Sequence, residues 1–284
     1  MTTAAARSTA RPDASGRVWF VTGASRGLGR VFAEAALDRG DRVVGVARDV
    51  TPLDDLVAAH DGRLVAFPLD VADRAAVMAG VERAVAAFGR LDVVVNNAGG
   101  FLYGMLEEAT EEQVRAHLDV NLLGALWVFQ AVVPHLREQG SGHILQVTSM
   151  GSTGGFATVG LYGAGKAALD SISEAMAMEV ADFGVKVTIV QPGGYETGLF
   201  TQGTTATAEN EAYAPLRARM AEMWSEGVDA APEKAAPAVM EVVDMAEPPR
   251  RLILGGLAYD QAVQLLRARL DEHARWEALS RTAD

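Results

Sequence analysis

The sequence predicts an α/β fold: one doubly wound domain with a seven-stranded parallel sheet and helices on both faces. Three observations carry that expectation. Strand-like and helix-like segments alternate along nearly the whole chain. The strand-like segments are continuous apolar runs rather than alternating ones, as in strands buried on both faces. The stretch Arg17–Gly29, RVWFVTGASRGLG, sets an apolar run before Gly23, Gly27 and Gly29, and helical periodicity follows. A strand, a glycine turn and a helix N-terminus together make an anion site, because unpaired amides and the positive dipole end face outward there. The spacing is G-x-x-x-G-x-G rather than the commoner G-x-G-x-x-G, yet the roles are the same: a tight turn, close backbone approach and close helix–strand packing.

The elements follow in order. Val18–Val21 is the first strand and Leu28–Leu37 the first helix. Gly40-Asp41 breaks the chain before the strand Arg42–Ala47, then come a short helix Pro52–His60 and a strand Arg63–Phe67. Asp73–Phe88 carries a helical stripe at Val77, Val81, Val85 and Phe88, and Leu91–Val95 is the fourth strand. Thr110 with Gln113 forms a capping box for a long helix through Arg137, which Pro134 should kink or end. His143–Thr148, Val185–Val190 and Arg251–Leu254 complete the strands, with helices at Val159–Phe183 and Pro232–Met245. The pattern loosens over 194–229. Tyr259–Leu279 reads as a solvated amphipathic helix, with an interface cap or a cleft cover as alternatives. The boundaries are thus a disordered tail over 1–16, the domain over 17–256 and a helical extension over 257–284.

Composition narrows the function. The 284 residues include 37 acidic and 25 basic side chains, a net charge of −12. An acidic chain without a basic block is a poor partner for nucleic acid or an anionic membrane. There is no cysteine, which excludes disulfides, thiolate metal sites and cysteine nucleophiles. No carboxylate and histidine group has metal-ligand spacing. The start, MTTAAARSTARPDASG, has no apolar h-region, and no apolar run reaches the length of a spanning helix. The expectation is a soluble, cytoplasmic protein acting on a small molecule.

Ligands of such sheets bind beyond the carboxyl ends of the strands. There the sequence places the glycine turn, Arg48, Asp70, Asn96-Asn97-Ala98-Gly99, Ser149 and Pro192-Gly193, which together outline a cleft. Tyr162 and Lys166, four residues apart in LYGAGKAALDSI, project from one helix face. An ammonium near a phenol lowers the phenol's pKa and suits it to proton transfer near neutral pH. Gly163 and Gly165 inside that helix cost about 1 kcal/mol each relative to alanine, which points to a close approach. The histidines at 60, 117, 135, 143 and 273 are scattered and no G-x-S-x-G elbow is present, so a serine hydrolase is not expected.

This ordered set of motifs resembles the classical short-chain dehydrogenases/reductases over about Val18 to Leu254, including the Rossmann-type domain. Thr22-Gly23-Ala24-Ser25-Arg26-Gly27-Leu28-Gly29 is similar to the family's cofactor turn, Asn96–Gly99 to its NNAG segment and Tyr162–Lys166 to its YxxxK pair. Ser149, 13 residues before Tyr162, and Asn121 in VNLLG match the family's catalytic serine and asparagine. The Gly-Ala-Gly interior of the pair departs from the family's usual Ala-Ser. A softer resemblance is to bacterial relatives of 17β-hydroxysteroid and retinol dehydrogenases.

The resemblance implies that Tyr162 is the general acid or base, that Lys166 lowers its pKa and holds the nicotinamide ribose, and that Ser149 polarises the carbonyl. Asn121 would position a water. It also implies cofactor contacts at Thr22, Gly23, Ser25, Arg26, Gly27, Leu28, Gly29, Asp70, Val71, Asn97, Ala98, Gly99, Tyr162, Lys166, Pro192, Gly193 and Thr197. Relatives are commonly homodimers or homotetramers, joined through the two long helices. At the end of the second strand stands Arg48 instead of an acid, and Arg26 lies in the turn, which suits the 2′-phosphate of NADP(H), with Asp49 in opposition.

The segment 194–229 lies where the family keeps its substrate loop. Tyr195, Leu199, Phe200, Tyr213, Met220, Met223 and Trp224 make it apolar, and Phe101, Tyr103, Met150 and Phe156 are the candidates for a facing wall, with a lid packed on its own domain as the equal alternative to substrate contact. No lysine or arginine occurs from Gly194 through Pro215, although Arg217 and Arg219 follow. The expected function is an NADP(H)-dependent carbonyl reductase or alcohol dehydrogenase for a neutral, bulky apolar ketone or alcohol. The alternatives are a non-redox enzyme on the same scaffold (a dehydratase, epimerase or cyclase) and an NADP(H)-sensing binding protein.

Overall fold

The apolar strand runs divide their side chains between two cores. Trp19, Val21, Val43, Val93, Val95, Leu145 and Val190 enter one, while Val18, Phe20, Val44, Val46, Val94, Ile144, Val185 and Val187 enter the other. Alternate residues of a strand point to opposite faces, so a strand apolar at every position must be covered on both. The computed structural model describes residues 16–225 and 227–283. Apart from Gly16, the tail expected over 1–16 lies outside the described residues.

The strands are β1 (Val18–Thr22), β2 (Arg42–Ala47), β3 (Leu64–Pro68), β4 (Val93–Asn96), β5 (Phe101–Tyr103), β6 (Gly142–Val147), β7 (Val185–Pro192), β8 (Thr204–Ala206) and β9 (Arg251–Leu254). The helices are α1 (Gly27–Asp38), α2 (Asp54–Ala59), α3 (Arg74–Phe88), α4 (Glu111–Leu118), α5 (Gly124–Gln139), α6 (Gly160–Glu179), α7 (Ala214–Ser225), α8 (Ala236–Asp244), α9 (Gly256–Arg275) and α10 (Glu277–Ser280). Seven strands form one sheet in the order β3-β2-β1-β4-β6-β7-β9, and every pair is parallel. These are the seven strands expected from the sequence. Helices α1 and α8 cover one face, and α3, α5 and α6 the other. The strand order reverses between β1 and β4, which puts a binding crevice at their carboxyl ends.

Local signals behave as their chemistry demands. Asp73 caps α3 by accepting from the Ala76 N–H at 3.0 Å. In the capping box of α4, Thr110 Oγ1 accepts from Gln113 N at 3.2 Å and Gln113 Oε1 from Thr110 N at 3.1 Å.

Three expectations change. The long helix is not uniform: it passes through a π turn at Asp119–Leu123 between α4 and α5. It also runs on to Gln139 with Pro134 inside it. Pro134 has no N–H to give to the Gln130 carbonyl, and both residues are exposed. The helical run Glu111–Gln139 has a mean hydropathy of 1.4 over its most apolar 18-residue window, with 44 % of that window buried, so by length and composition it is long and apolar enough to cross a membrane. No single apolar run in the sequence signals this, because polar residues interrupt it. Finally, within the loosened segment 194–229 regular elements form: β8 pairs in parallel with β5, and α7 follows.

Candidate active site

The glycine turn is strapped to the segment after β4. Thr22 Oγ1 donates to the Val95 carbonyl and accepts the N–H groups of Asn97 and Ala98, both at 3.0 Å. Asn97 Nδ2 donates to the carbonyls of Thr22 (3.0 Å) and Gly23 (3.2 Å). Thr22 is 1 % exposed. The side chains of Thr22 and Asn97 thus support the turn from behind. Gly23 and Gly27 adopt φ of +63° and +55°. A Cβ on Gly27 would stand 2.7 Å from Thr197, and one on Gly29 would overlap the Gly23 carbonyl.

Helix α1 starts after Arg26, an extended residue that makes no side-chain cap. Its first amides therefore face the crevice without a partner from a capping side chain, in a cradle that side chains would fill, which fits a dinucleotide pyrophosphate. Leu28 contributes its backbone there while its side chain joins the core. Ser25 is half-buried and Arg26 exposed, with Arg26 Nη1 donating to Gln202 Oε1 at 3.2 Å. Arg48 is exposed at the end of β2. Asp49 beside it accepts the Thr51 N–H at 3.0 Å, which holds its carboxyl below the usual range. Asp70 is exposed and accepts the Ala72 N–H, while Val71 is buried against Gly124. Pro192 ends β7, and Gly193 leaves room for Ala258 of α9.

Tyr162 and Lys166 share a face of α6, and both are buried. Lys166 Nζ donates to the Val147 carbonyl at 3.0 Å. Burial lowers its pKa to about 8, with the charge of Asp170 opposing that shift, so at neutral pH it is mostly ammonium. Burial raises the Tyr162 pKa, and a hydrogen bond with Ser149 draws it back. Burial outweighs any lowering by Lys166, whose ammonium is 6.0 Å from the ring centre and hydrogen-bonded to Val147, while the phenol is sunk in the fold.

Ser149 begins a turn in which its hydroxyl accepts the Gly151 N–H at 3.0 Å. Ser152 Oγ accepts from Gln191 Nε2 at 2.8 Å and lies 2.7 Å from both the Ser149 carbonyl and Asp170 Oδ2, one of which takes its single proton. Asp170 Oδ2 accepts from Gln191 Nε2 (2.8 Å) and Arg251 Nη1 (2.6 Å). The serine turn is thus tied to α6, β7 and β9. Asn121 sits in the π turn, 1 % exposed. A Cβ on Gly99 would stand 2.9 Å from Asn121 Oδ1 and 3.4 Å from Lys166 Nζ, so the two polar groups flank that glycine. Gly163 closes on the Gly151 carbonyl and Gly165 on the His117 ring, which are the close approaches expected of two glycines inside a helix.

Phe101 stands edge-on to Tyr162, with ring centres 4.8 Å apart, and to Phe200, at 4.9 Å. Phe156 meets Trp224 at 5.9 Å. These pairs join the expected wall to the expected loop. Tyr195 does not line the cleft: it is 6 % exposed and packs in the core behind the sheet. Two residues escaped the sequence reading. Glu108 holds the loop through Thr207, Asn210 and Arg217. His117 contacts Asn121, and its spacing four residues before Asn121 on one helix was the available signal.

The family model for short chain dehydrogenases matches residues 17–208. The chain belongs to the short-chain dehydrogenase/reductase family. Among its relatives is oxidoreductase BOA17 of Botryotinia fuckeliana, 37 % identical over 269 residues, which are 93 % of this chain and 98 % of that protein. The 3-ketodihydrosphingosine reductase of Bacteroides thetaiotaomicron is 34 % identical over 246 residues, 85 % of this chain and 88 % of that one. The crystal structure of a short-chain dehydrogenase from Streptomyces avermitilis superimposes with a TM-score of 0.88 at 41 % identity, covering 95 % of this chain and all of that one. As a short-chain dehydrogenase/reductase the chain is an oxidoreductase of CH–OH and C=O groups in small molecules, and its family uses a nicotinamide cofactor.

Proposed function

We propose that this short-chain dehydrogenase/reductase is an NADP(H)-dependent carbonyl reductase or alcohol dehydrogenase, interconverting a neutral, bulky apolar ketone and its secondary alcohol. The observation that carries the reading is the convergence of Tyr162, Ser149 and Lys166 beside Phe101 and Phe200. The glycine turn Gly23–Gly29 and the segment after β4 would hold a nicotinamide dinucleotide, which would supply or accept the hydride. Tyr162, protonated at neutral pH because burial raises its pKa, gives its proton to the carbonyl oxygen in reduction. Ser149 donates to that same oxygen as negative charge develops. Lys166, charged at neutral pH, favours the phenolate left behind, and the phenolate regains its proton from solvent through a water that Asn121 positions beside Lys166.

Three features support the finer assignments. Arg48 and Arg26 offer guanidinium groups for a 2′-phosphate, and Asp49 is occupied by the Thr51 amide. The ring contacts around Phe101 favour apolar substrates, and a relative is named for a ketone. Leu266, Leu270, Trp276 and Leu279 are 48–66 % exposed on the C-terminal helices, which favours a homodimer or homotetramer that covers them.

The test is nicotinamide absorbance during turnover of aliphatic, aromatic and steroid-like ketones. Tyr162→Phe should lower kcat by about 10²- to 10⁴-fold while cofactor binding persists. A variant as active as wild type would sink the mechanism. Arg48→Ala should reduce the preference for NADPH over NADH by roughly tenfold, the value of one charge-assisted hydrogen bond; an unchanged ratio would overturn the cofactor assignment.

A further inference from the structure

Asn121 and His117 are both buried, 1 % and 8 % exposed, in the stretch where the helix changes pitch. Asn121 Nδ2 spends both of its protons on His117, donating to its carbonyl at 3.0 Å and lying 3.1 Å from its Nδ1. Asn121 Oδ1 accepts the Gly100 N–H at 3.2 Å. Flipping the amide would set oxygen against the His117 carbonyl and NH₂ against the Gly100 N–H, so two backbone groups fix its sense. The imidazole then accepts the remaining proton.

We propose that His117 is a positioning residue for the reaction: its carbonyl and its ring together hold the Asn121 carboxamide with its oxygen toward Gly99, Gly100 and Lys166. The proposal rests on the oxidoreductase reading above for its catalytic consequence, but not for its geometry. Nδ1 accepts only if the ring is neutral and its proton sits on Nε2. Burial keeps the ring neutral, lowering its pKa to about 4, with the Lys166 charge adding to the effect and the Leu161 carbonyl opposing it. The titratable groups against the ring come from α6: Lys166, and Tyr162 with its ring centre 6.1 Å away. The Nε2 edge faces Gly165, where a Cβ would stand 3.1 Å from the nitrogen. That accounts for the glycine within the Tyr162–Lys166 pair: a larger residue would press on the ring that orients Asn121.

Two measurements on the cofactor-free protein test the geometry directly. Long-range ¹H–¹⁵N spectra should show His117 neutral, as the Nε2–H tautomer, at every pH from about 5.5 to 8. A ring that titrates near its ordinary value of about 6.5, or carries its proton on Nδ1, would overturn the proposal. The Asn121 carboxamide protons should shift and exchange faster in His117→Leu; unchanged resonances would also overturn it.

Kinetics tests the consequence. His117→Leu should lower kcat about tenfold with KM little changed, and His117→Gln, which keeps an acceptor, should recover most of that loss. In an Asn121→Ala background, His117→Leu should add less than about a twofold effect, because both act through one group. Effects that simply multiply would mean that His117 acts independently of Asn121. If His117→Leu does not fold, Gly165→Ala, which crowds the ring, should shift the Asn121 protons in the same sense. A wild type that turns over no ketone would remove the reductase reading while the spectra still decide the His117 geometry.

Discussion

The two walls of the cleft are held by different means. The cofactor side is built from backbone: glycines 23, 27 and 29 let chain segments touch, and Thr22 and Asn97 strap the turn to the segment after β4. The substrate side is held by the short β5–β8 ladder and by polar side chains, with Glu108 at their centre. Glu108 accepts from Met105 N (2.9 Å), Asn210 N (2.8 Å) and Thr207 Oγ1 (2.8 Å), and it pairs with Arg217. Burial would raise its pKa, but the amides of Asn210 and Met105, the Thr207 hydroxyl and Arg217 outweigh that and hold it at about 2. No residue of α7 is buried, and Met223, Trp224 and Val228 are 53 %, 45 % and 91 % exposed. The contrast separates a rigid binding edge, closed by steric fit, from a lid attached by charge and hydrogen bonds and free to vary in its apolar content.

The largest effect that would sharpen this contrast is at Gly29. Gly29→Ala should abolish cofactor binding or folding, since the methyl would overlap the Gly23 carbonyl and the Asn97 amide. Gly62→Ala, at φ +71° with nothing nearby, should cost only about 1 kcal/mol. Equal melting temperatures for the two variants would break the steric account of the cofactor side.

An intermediate effect follows from pH. Burial lowers His117 to about 4 and His143 to about 3, the latter aided by Lys186 and Arg17. Unfolded histidines bind protons below about 6.5, and these two do not while folded. Stability should therefore be full above about pH 6.5 and fall on acidification, by up to about 1.4 kcal/mol per pH unit for each histidine. The His117 share should end near pH 4 and the His143 share near pH 3. Denaturant melts of wild type and His143→Gln would read this slope; a flat profile from pH 6.5 to 4 would contradict the buried neutral rings.

The smallest effect on global stability is expected at the lid. Glu108→Gln should leave the melting temperature within a few degrees, because the lid adds little to either core, while trypsin cuts faster at Arg217 and Arg219 and KM rises. Unchanged cleavage would show that something other than Glu108 holds the lid.

Much of the cofactor side was legible in the sequence, because a strand end, a glycine spacing and a helix start are local patterns with local causes. The YxxxK pair was legible for the same reason, as four residues make one helical turn. The roles of Thr22 and Asn97 were not. A polar residue at a strand end looks the same whether it faces a ligand or its own backbone, and only the closure of β1 against β4 shows which. The direction of Tyr195 was open for a similar reason: an aromatic side chain in a loose segment carries no mark of the direction in which it points.

The sequence by itself determined the doubly wound sheet, its seven strands and the crevice at their carboxyl ends, since strands apolar at every position demand cover on both faces. The tertiary structure decided the rest. It set the π turn that places Asn121, the raised rather than lowered pKa of Tyr162, and the clasp of Glu108 on Thr207, 99 residues further along the chain. These depend on burial and on contacts between distant segments, and neither is written in the periodicity of any one stretch.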